Sequence, residues 1–262
     1  MLSRNVIKYI NSLKIKKYRQ QYQAFLVEGE KSVAELLTGP FTVSAIYCLE
    51  GWMLENHSVL QRCNAEISVV TEEELHKISD LATPNKVLAV AGLPVSRDLN
   101  KDDFNDLILA LDRIRDPGNM GTILRTADWF GIKLVVCSPD CVDAFNPKVI
   151  QSTMGSYARV CVHYMDLASL IKSAPPDFPV YGALLGGPSL TEKKFTKPGI
   201  LVIGNESQGI SKSLISLITD PVFIPPFHNP ANGTSHAESL NASVANAIIC
   251  YEIRKQLSEN KF

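Results

Sequence analysis

The chain reads as an α/β protein in two parts: a smaller N-terminal α/β domain, then a domain organised around a mostly parallel sheet. Three observations predict this. Short runs rich in Val, Ile, Leu and Phe alternate with helical periodicities along the whole length. The later runs are apolar at every position, as strands covered on both faces by helices must be. The stretch GLPVSRDLNKDDFN is polar, holds both Gly and Pro and lacks periodicity, so residues 94–105 are read as a linker between domains 1–93 and 106–262. At 262 residues and 45% hydrophobic content, two modest cores can be filled.

The N-terminal end comes first. Arg4, Lys8, Lys14, Lys16, Lys17 and Arg19 occur with no acid before Glu28, although the whole chain has a formal net charge of −1. With Tyr9, Tyr18 and Tyr22 among them, these cations suit a segment that lies along phosphates and stacks on bases. A solvated helix face explains the same pattern equally well. AFLVEG, FTVSAIYCLE, AEISVV and KVLAVAGL then read as strands, and EKSVAELLT, the stretch around MLENHSVLQR, and EEELHKIS as helices between them. Thr71 with Glu74 makes a capping box for the last helix.

In the second domain LILALDRI reads as a strand, and residues 113–121 as a loop rich in turn formers. A helix is predicted over Thr122–Phe130, stopped by Gly131. KLVVCS is a strand, Asn146-Pro147 opens a helix, RVCVHY is a strand, and Asp166 caps the next helix. VYGALL, ILVIG and VFIPP are strands, with a short helix after Ser211 and a closing helix beginning ESLNASVANAIICYE. No GxGxxG follows the first strand of this domain. The glycines fall late instead, at Gly186, Gly187, Gly204 and Gly209, which points to a site made by the late loops.

Arg125 is the candidate centre of that site. Ile123, Leu124, Ala127 and Phe130 share one apolar side of their helix, and Arg125 points elsewhere. On the helix alone, an ion pair with Asp128 or stacking on Trp129 would account for it. Two further segments change the weighing: ILVIGNESQGIS, where an apolar strand runs into Gly204-Asn205-Glu206, and VFIPP followed by a long loop and ESLNASVANAI.

With NMGTILRTADWFGI these form three ordered motifs, and together they resemble the SpoU or TrmH-type 2′-O-ribose RNA methyltransferases of the SPOUT class. The resemblance covers nearly the whole chain, and FLVEGEKSVAELL is similar to the small substrate-binding domain that many members carry. It implies a C-terminal α/β knot, a deep trefoil in a mostly parallel sheet, cradling S-adenosyl-L-methionine. It further implies RNA as substrate, with ribosomal RNA placed ahead of transfer RNA, and a homodimer in which Arg125 of one chain can complete the other's site. The small residues Ala242, Ser243, Ala245 and Ala247 would allow close helix approach.

By the same resemblance Leu184, Gly186, Gly204, Asn205, Glu206, Ile224 and Leu240 are cofactor-binding candidates. Gly204 would let the adenosine approach, and Ile224 and Leu240 would flank the adenine; a plain turn and plain core packing are the alternatives. Arg125, Asn119, Glu206, Ser239 and Asn241 are the catalytic candidates. Arg125 would stabilise the forming alkoxide, since a guanidinium is a poor base. Asn119 and Asn241 would bond the ribose or fix the loop. Glu206 would tie down its own loop through backbone N–H groups, and Ser239 would cap the closing helix or meet the substrate. Two departures stand out: Ser207 where the family has glycine, and a longer loop between Ile224 and Glu238.

The six cysteines contain no CxxC pair and suit a reducing compartment rather than disulfides or zinc. No metal is expected; His228 and His236 could serve as ligands or as acid and base, but exposed loop histidines commonly do neither. With no signal peptide and no apolar run long enough for a bilayer, the expected location is the cytoplasm. A hydrolase is disfavoured because GNESQG does not meet GxSxG. The competing readings are a non-catalytic RNA-binding protein and a transfer RNA methyltransferase.

Overall fold

The computed structural model describes residues 1–95, 97–227 and 237–259. His228 and His236 lie outside the described residues. By contacts the chain divides into two compact units.

The first unit takes in the N-terminal residues and also residues 143–159. It is built on four strands, β1 (Ala24–Glu28), β2 (Val43–Cys48), β3 (Glu66–Val69) and β4 (Val87–Gly92), in the order β1-β4-β2-β3, with only β2 and β3 parallel. Helices α1 (Arg4–Ser12), α2 (Lys16–Tyr22), α3 (Glu30–Thr38), α4 (Glu50–Glu55), α5 (His57–Leu60) and α6 (Glu72–Ile78) connect and cover it. Thr71 and Glu74 form the predicted capping box at α6. Period-two alternation sorts the strand side chains to two faces. Phe25, Val27, Val87 and Ala89 pack with Val33, Leu36 and Trp52. Leu26, Leu88 and Val90 pack with Ile10, Leu13, Leu75 and Ile78.

Helix α8 (Pro147–Thr153), with Asn146 as N-cap and Pro147 in its first turn, falls in this unit although it follows a strand of the other. Ile150 and Tyr157 enter the core beside Phe25, and the Tyr157 hydroxyl donates to the Ser32 carbonyl at 2.8 Å. Nothing in chain order suggests this grouping.

The second unit holds six strands: β5 (Ile108–Leu111), β6 (Leu134–Cys137), β7 (Cys161–Tyr164), β8 (Val180–Ala183), β9 (Ile200–Ile203) and β10 (Asp220–Val222). Their order is β10-β8-β9-β5-β6-β7, and every pairing is parallel. β5, β6 and β9 are buried at every position, as their unbroken apolar runs require. Helices α7 (Pro117–Trp129), α9 (Leu167–Ser173), α10 (Lys212–Ile215) and α11 (Ala242–Glu259) accompany the sheet, with α11 packed on α7.

Three boundaries differ from those read in the sequence. α7 starts at Pro117, not Thr122, because the Asp116 side chain accepts from Asn119 N at 2.7 Å and Pro117 fits the first turn. Gly118 and Gly121 are therefore helical, and Asn119 sits in the first turn. α11 starts at Ala242 rather than Glu238, since Asn241 accepts from Ser243 N at 2.9 Å and so is its cap. β10 ends at Val222, before Pro225 and Pro226, which have no N–H for a ladder.

Candidate functional site

Parallel strands deliver their C-terminal ends to one edge of a sheet, where ligands of open α/β folds bind. β10, β8, β9 and β5 are consecutive neighbours, so the segments leaving them are brought together by the sheet itself. Those segments carry Ile224, Leu184–Gly186, Gly204–Glu206 and, after β5, Asn119. Leu184 N bonds the Val222 carbonyl at 3.0 Å, and Leu190 N bonds that of Phe223 at 2.7 Å, which keeps the loop after β8 beside the end of β10.

Hydrogen bonds join the three motifs directly. Asn119 Nδ2 donates to Glu206 Oε1 at 2.6 Å, and Asn241 Nδ2 donates to Asn119 Oδ1 at 2.9 Å. Asn119 thus fixes the loop after β9 on one side and the start of α11 on the other. Glu206 accepts from the side-chain amides of Asn119 and, at 3.3 Å, of Asn205, not from backbone N–H groups as expected. Ser239 is exposed and is not the helix cap; Asn241 Oδ1 has that role, accepting also from Ser243 Oγ at 2.6 Å.

Asn205 spends its side chain on its own loop. Nδ2 donates to the Arg113 carbonyl at 3.0 Å, and Oδ1 accepts from Ser207 N, Ser207 Oγ and Gln208 N at 3.1, 2.9 and 3.1 Å. Both amide hydrogens are engaged, so the Asn205 side chain has no donor left for a cofactor. Ser207 does not have a positive φ, so the glycine's freedom is not needed there, and its hydroxyl adds a bond that glycine lacks. Gly204 is required for a reason nearer than the cofactor: a Cβ there would collide with the backbone of Gly209 and Ile210.

The apolar candidates are each open to solvent in part. A Cβ on Gly186 would meet nothing within 4 Å, Leu240 is 46% exposed, and Ile224 and Leu184 are half-buried.

Arg125 is exposed on α7, and among the described residues no bond to its guanidinium is found, neither to Asp128 nor to Trp129. It lies six residues after Asn119, about 9 Å further along the axis and roughly 120° round the helix. Arg125 therefore does not face the Asn119–Glu206 pair of its own chain. It shares an outer face of α7 with Trp129, which is 84% exposed; on α11, Val244, Ile248 and Tyr251 are exposed as well. The Phe130 and Tyr251 rings, 6.4 Å apart, mark where the two helices meet. The small residues Ala242 and Ser243 are buried in the chain's own core, so this outer face is made by larger side chains.

Of the basic N-terminal residues, Arg4, Lys8, Lys16 and Lys17 are exposed. Lys14 is half-buried and donates to the Ser79 carbonyl at 2.7 Å. Arg19 is not an RNA-facing cation: it is 1% exposed, donates to Asp143 Oδ2 through Nε and Nη2 at 3.0 and 2.6 Å, and donates to the Leu13 carbonyl at 2.8 Å. Tyr18 and Tyr22 are stacked at 6.4 Å, with Tyr9 edge-on to Tyr22 at 5.1 Å.

Sequence reasoning missed Asp112 and Arg113, which bind the loop after β9. Their signal was an Asp-Arg pair immediately following a fully apolar strand, at the sheet edge where the three motifs meet.

A model of the SpoU rRNA Methylase family matches residues 106–251, and one of the MRM3-like substrate binding domain matches residues 4–89. The chain belongs to the SpoU methylase family. Among solved structures, a TrmH-family RNA methyltransferase structure from Porphyromonas gingivalis is 38% identical, with a TM-score of 0.82 over 98% of this chain and 99% of that one. An AdoMet-bound rRNA methyltransferase from Sinorhizobium meliloti is 26% identical, with a TM-score of 0.85 over 98% and 97%. The 23S rRNA (guanosine(2553)-2′-O)-methyltransferase RlmP of Bacillus subtilis is 29% identical over 95% of both chains. Among the described residues no helix is long and apolar enough to cross a membrane, and no group of three or more His, Cys, Asp or Glu is placed to hold a metal ion.

Proposed function

We propose that this SpoU methylase transfers the methyl group of S-adenosyl-L-methionine to a ribose 2′-hydroxyl of ribosomal RNA. The observation that carries this is the bridge from Glu206 through Asn119 to Asn241, which unites the three motifs at the carboxyl edge of a parallel sheet. The names of the Bacillus and Sinorhizobium relatives support rRNA as the substrate class and AdoMet as the donor.

Bound S-adenosylmethionine supplies an electrophilic methyl group on its sulfonium. Leu184, Gly186, Ile224 and Leu240 offer the apolar rim for its adenosine, and the loop Gly204–Glu206 forms the wall beside them. Asn119 and Glu206 act as braces that fix the site's geometry, and positioning is the larger part of the rate for such a displacement. Both carboxylate oxygens of Glu206 accept amide hydrogens, which favours the brace over a base. Arg125, permanently charged, stabilises the ribose oxygen as its proton leaves.

The orientation of Arg125 away from its own Asn119, beside the exposed Trp129, supports a homodimer in which Arg125 completes the partner's site. The exposed Arg4, Lys8, Lys16 and Lys17, with the Tyr18–Tyr22 stack, support RNA binding by residues 1–93, joined through 94–105 to a methyltransferase domain of 106–262. The late position of β8, β9 and β10 on one side of β5 suits the trefoil threading of the family. A cytoplasmic site of action accords with rRNA as substrate.

Mapping 2′-O-methyl groups in RNA from cells with and without the gene tests the reading. Loss of one rRNA mark is expected. Loss of a transfer RNA mark would move the substrate class, and an unchanged map would favour a non-catalytic RNA-binding role.

A further inference from the structure

Arg113 has a backbone conformation that its residue type disfavours. Its φ of +58° lies in the left-handed region, where glycine and asparagine are at home and a long side chain is strained. A glycine would suit the turn after β5 better, so what the arginine adds there lies in its side chain.

The side chain reaches across to the loop after β9. Nη1 donates to Gln208 Oε1 at 2.7 Å and Nη2 to the Gly209 carbonyl at 3.3 Å. Nε is buried without an aligned acceptor, 3.3 Å from Asp112 Oδ1, and Asp112 Oδ2 in turn accepts from Ser211 N at 2.6 Å. The Arg113 backbone is held from both directions: its N–H donates to Ser138 Oγ at 2.9 Å, and its carbonyl accepts from Asn205 at 3.0 Å. Residues 112 and 113 thus clamp the loop at Asn205, Gln208, Gly209 and Ser211. Asn119 touches the same loop only at Glu206.

We infer that Arg113 is a positioning residue that sets the loop 204–211 for the cofactor, as a clamp distinct from the Asn119 brace. The inference rests on the proposed S-adenosylmethionine site. Because the clamp acts on the loop and not on Arg125 or Asn119, its loss weakens cofactor binding and leaves the chemical step intact. A guanidinium fork is needed, since a lysine ammonium cannot serve Gln208 and the Gly209 carbonyl in the same fixed plane.

The test is titration of S-adenosylmethionine by calorimetry, with steady-state kinetics, on the full-length protein and on Arg113→Gly, Arg113→Lys and Gln208→Ala. Arg113→Gly relieves the backbone strain and should melt near the unaltered protein. It is expected to raise Kd and the KM for S-adenosylmethionine about tenfold while kcat and the KM for RNA hold. Arg113→Lys should fall between the two, and Gln208→Ala, an exposed change, should raise the cofactor KM about threefold. A lowered melting temperature with unchanged cofactor affinity in all three variants would overturn the inference. Absence of binding by the unaltered protein would instead overturn the cofactor reading beneath it.

Discussion

Asn119 Nδ2 lies 2.6 Å from Glu206 Oε1, which ties the first turn of α7 to the loop after β9 across 87 residues of chain. The same side chain accepts from Asn241 at 2.9 Å, so one amide connects three segments that the sheet brings to a common edge. Its donor and acceptor are both engaged, and no other residue type of that size offers both.

Asn119→Ala should therefore lower kcat/KM by 10- to 100-fold, on the order of 1–3 kcal/mol for two lost bonds and an unpartnered carboxylate oxygen. Asn119→Asp should do more harm, because it sets a second carboxylate against Glu206. Methyl transfer from radiolabelled S-adenosylmethionine measures both.

Arg125→Ala should abolish methyl transfer and largely spare cofactor affinity, because its side chain is not among those that line the proposed adenosine rim. Near-normal turnover would reject its role. Calorimetry with S-adenosylmethionine alongside the transfer assay separates the two effects.

If Arg125 acts across a dimer, mixing Arg125→Ala chains with Asn119→Ala chains should restore activity. One site of each mixed dimer then carries both native residues, giving roughly a quarter of full activity at random assortment. No recovery after co-expression would place Arg125 in its own chain's site.

Asn241→Ala removes the α11 cap and should cost about 1 kcal/mol, a fall in Tm of roughly 2–4 °C. Ser239→Ala should leave Tm unchanged. Thermal melts of the two variants distinguish the cap that the structure gives from the one the sequence suggested.

Arg19→Ala breaks a buried ion pair with Asp143 and should destabilise the first unit by about 3–5 kcal/mol. Replacing Lys8 and Lys17 together should instead weaken RNA binding and flatten its salt dependence with little change in Tm. Melting curves and filter binding at two salt concentrations would show the contrast.

Much of this was legible from periodicity and punctuation. The strands of both sheets, the Thr71–Glu74 capping box, the Asp166 cap and the Asn146-Pro147 helix start all follow from local chemistry, and the structure has them. The late glycines pointed to the edge where the three motifs meet. What local reading got wrong was decided by longer-range contacts. Arg19 looks identical to Lys17 in the sequence, but Asp143, distant in the chain, folds against it. Gly118 and Gly121 read as a loop, yet the Asp116 cap draws them into α7. Arg113 was passed over because the Asp-Arg pair after the strand discloses neither its backbone φ nor its partners 95 and 96 residues away.

The most direct measurement incubates the purified protein with radiolabelled S-adenosylmethionine and ribosomal RNA, then digests the RNA with alkali. Methylation of a 2′-hydroxyl removes the nucleophile that alkaline cleavage needs, so the label is expected in alkali-stable dinucleotides, and not with the Arg125→Ala protein. Label released as mononucleotide would mean that the methyl group sits on a base, and would contradict the account.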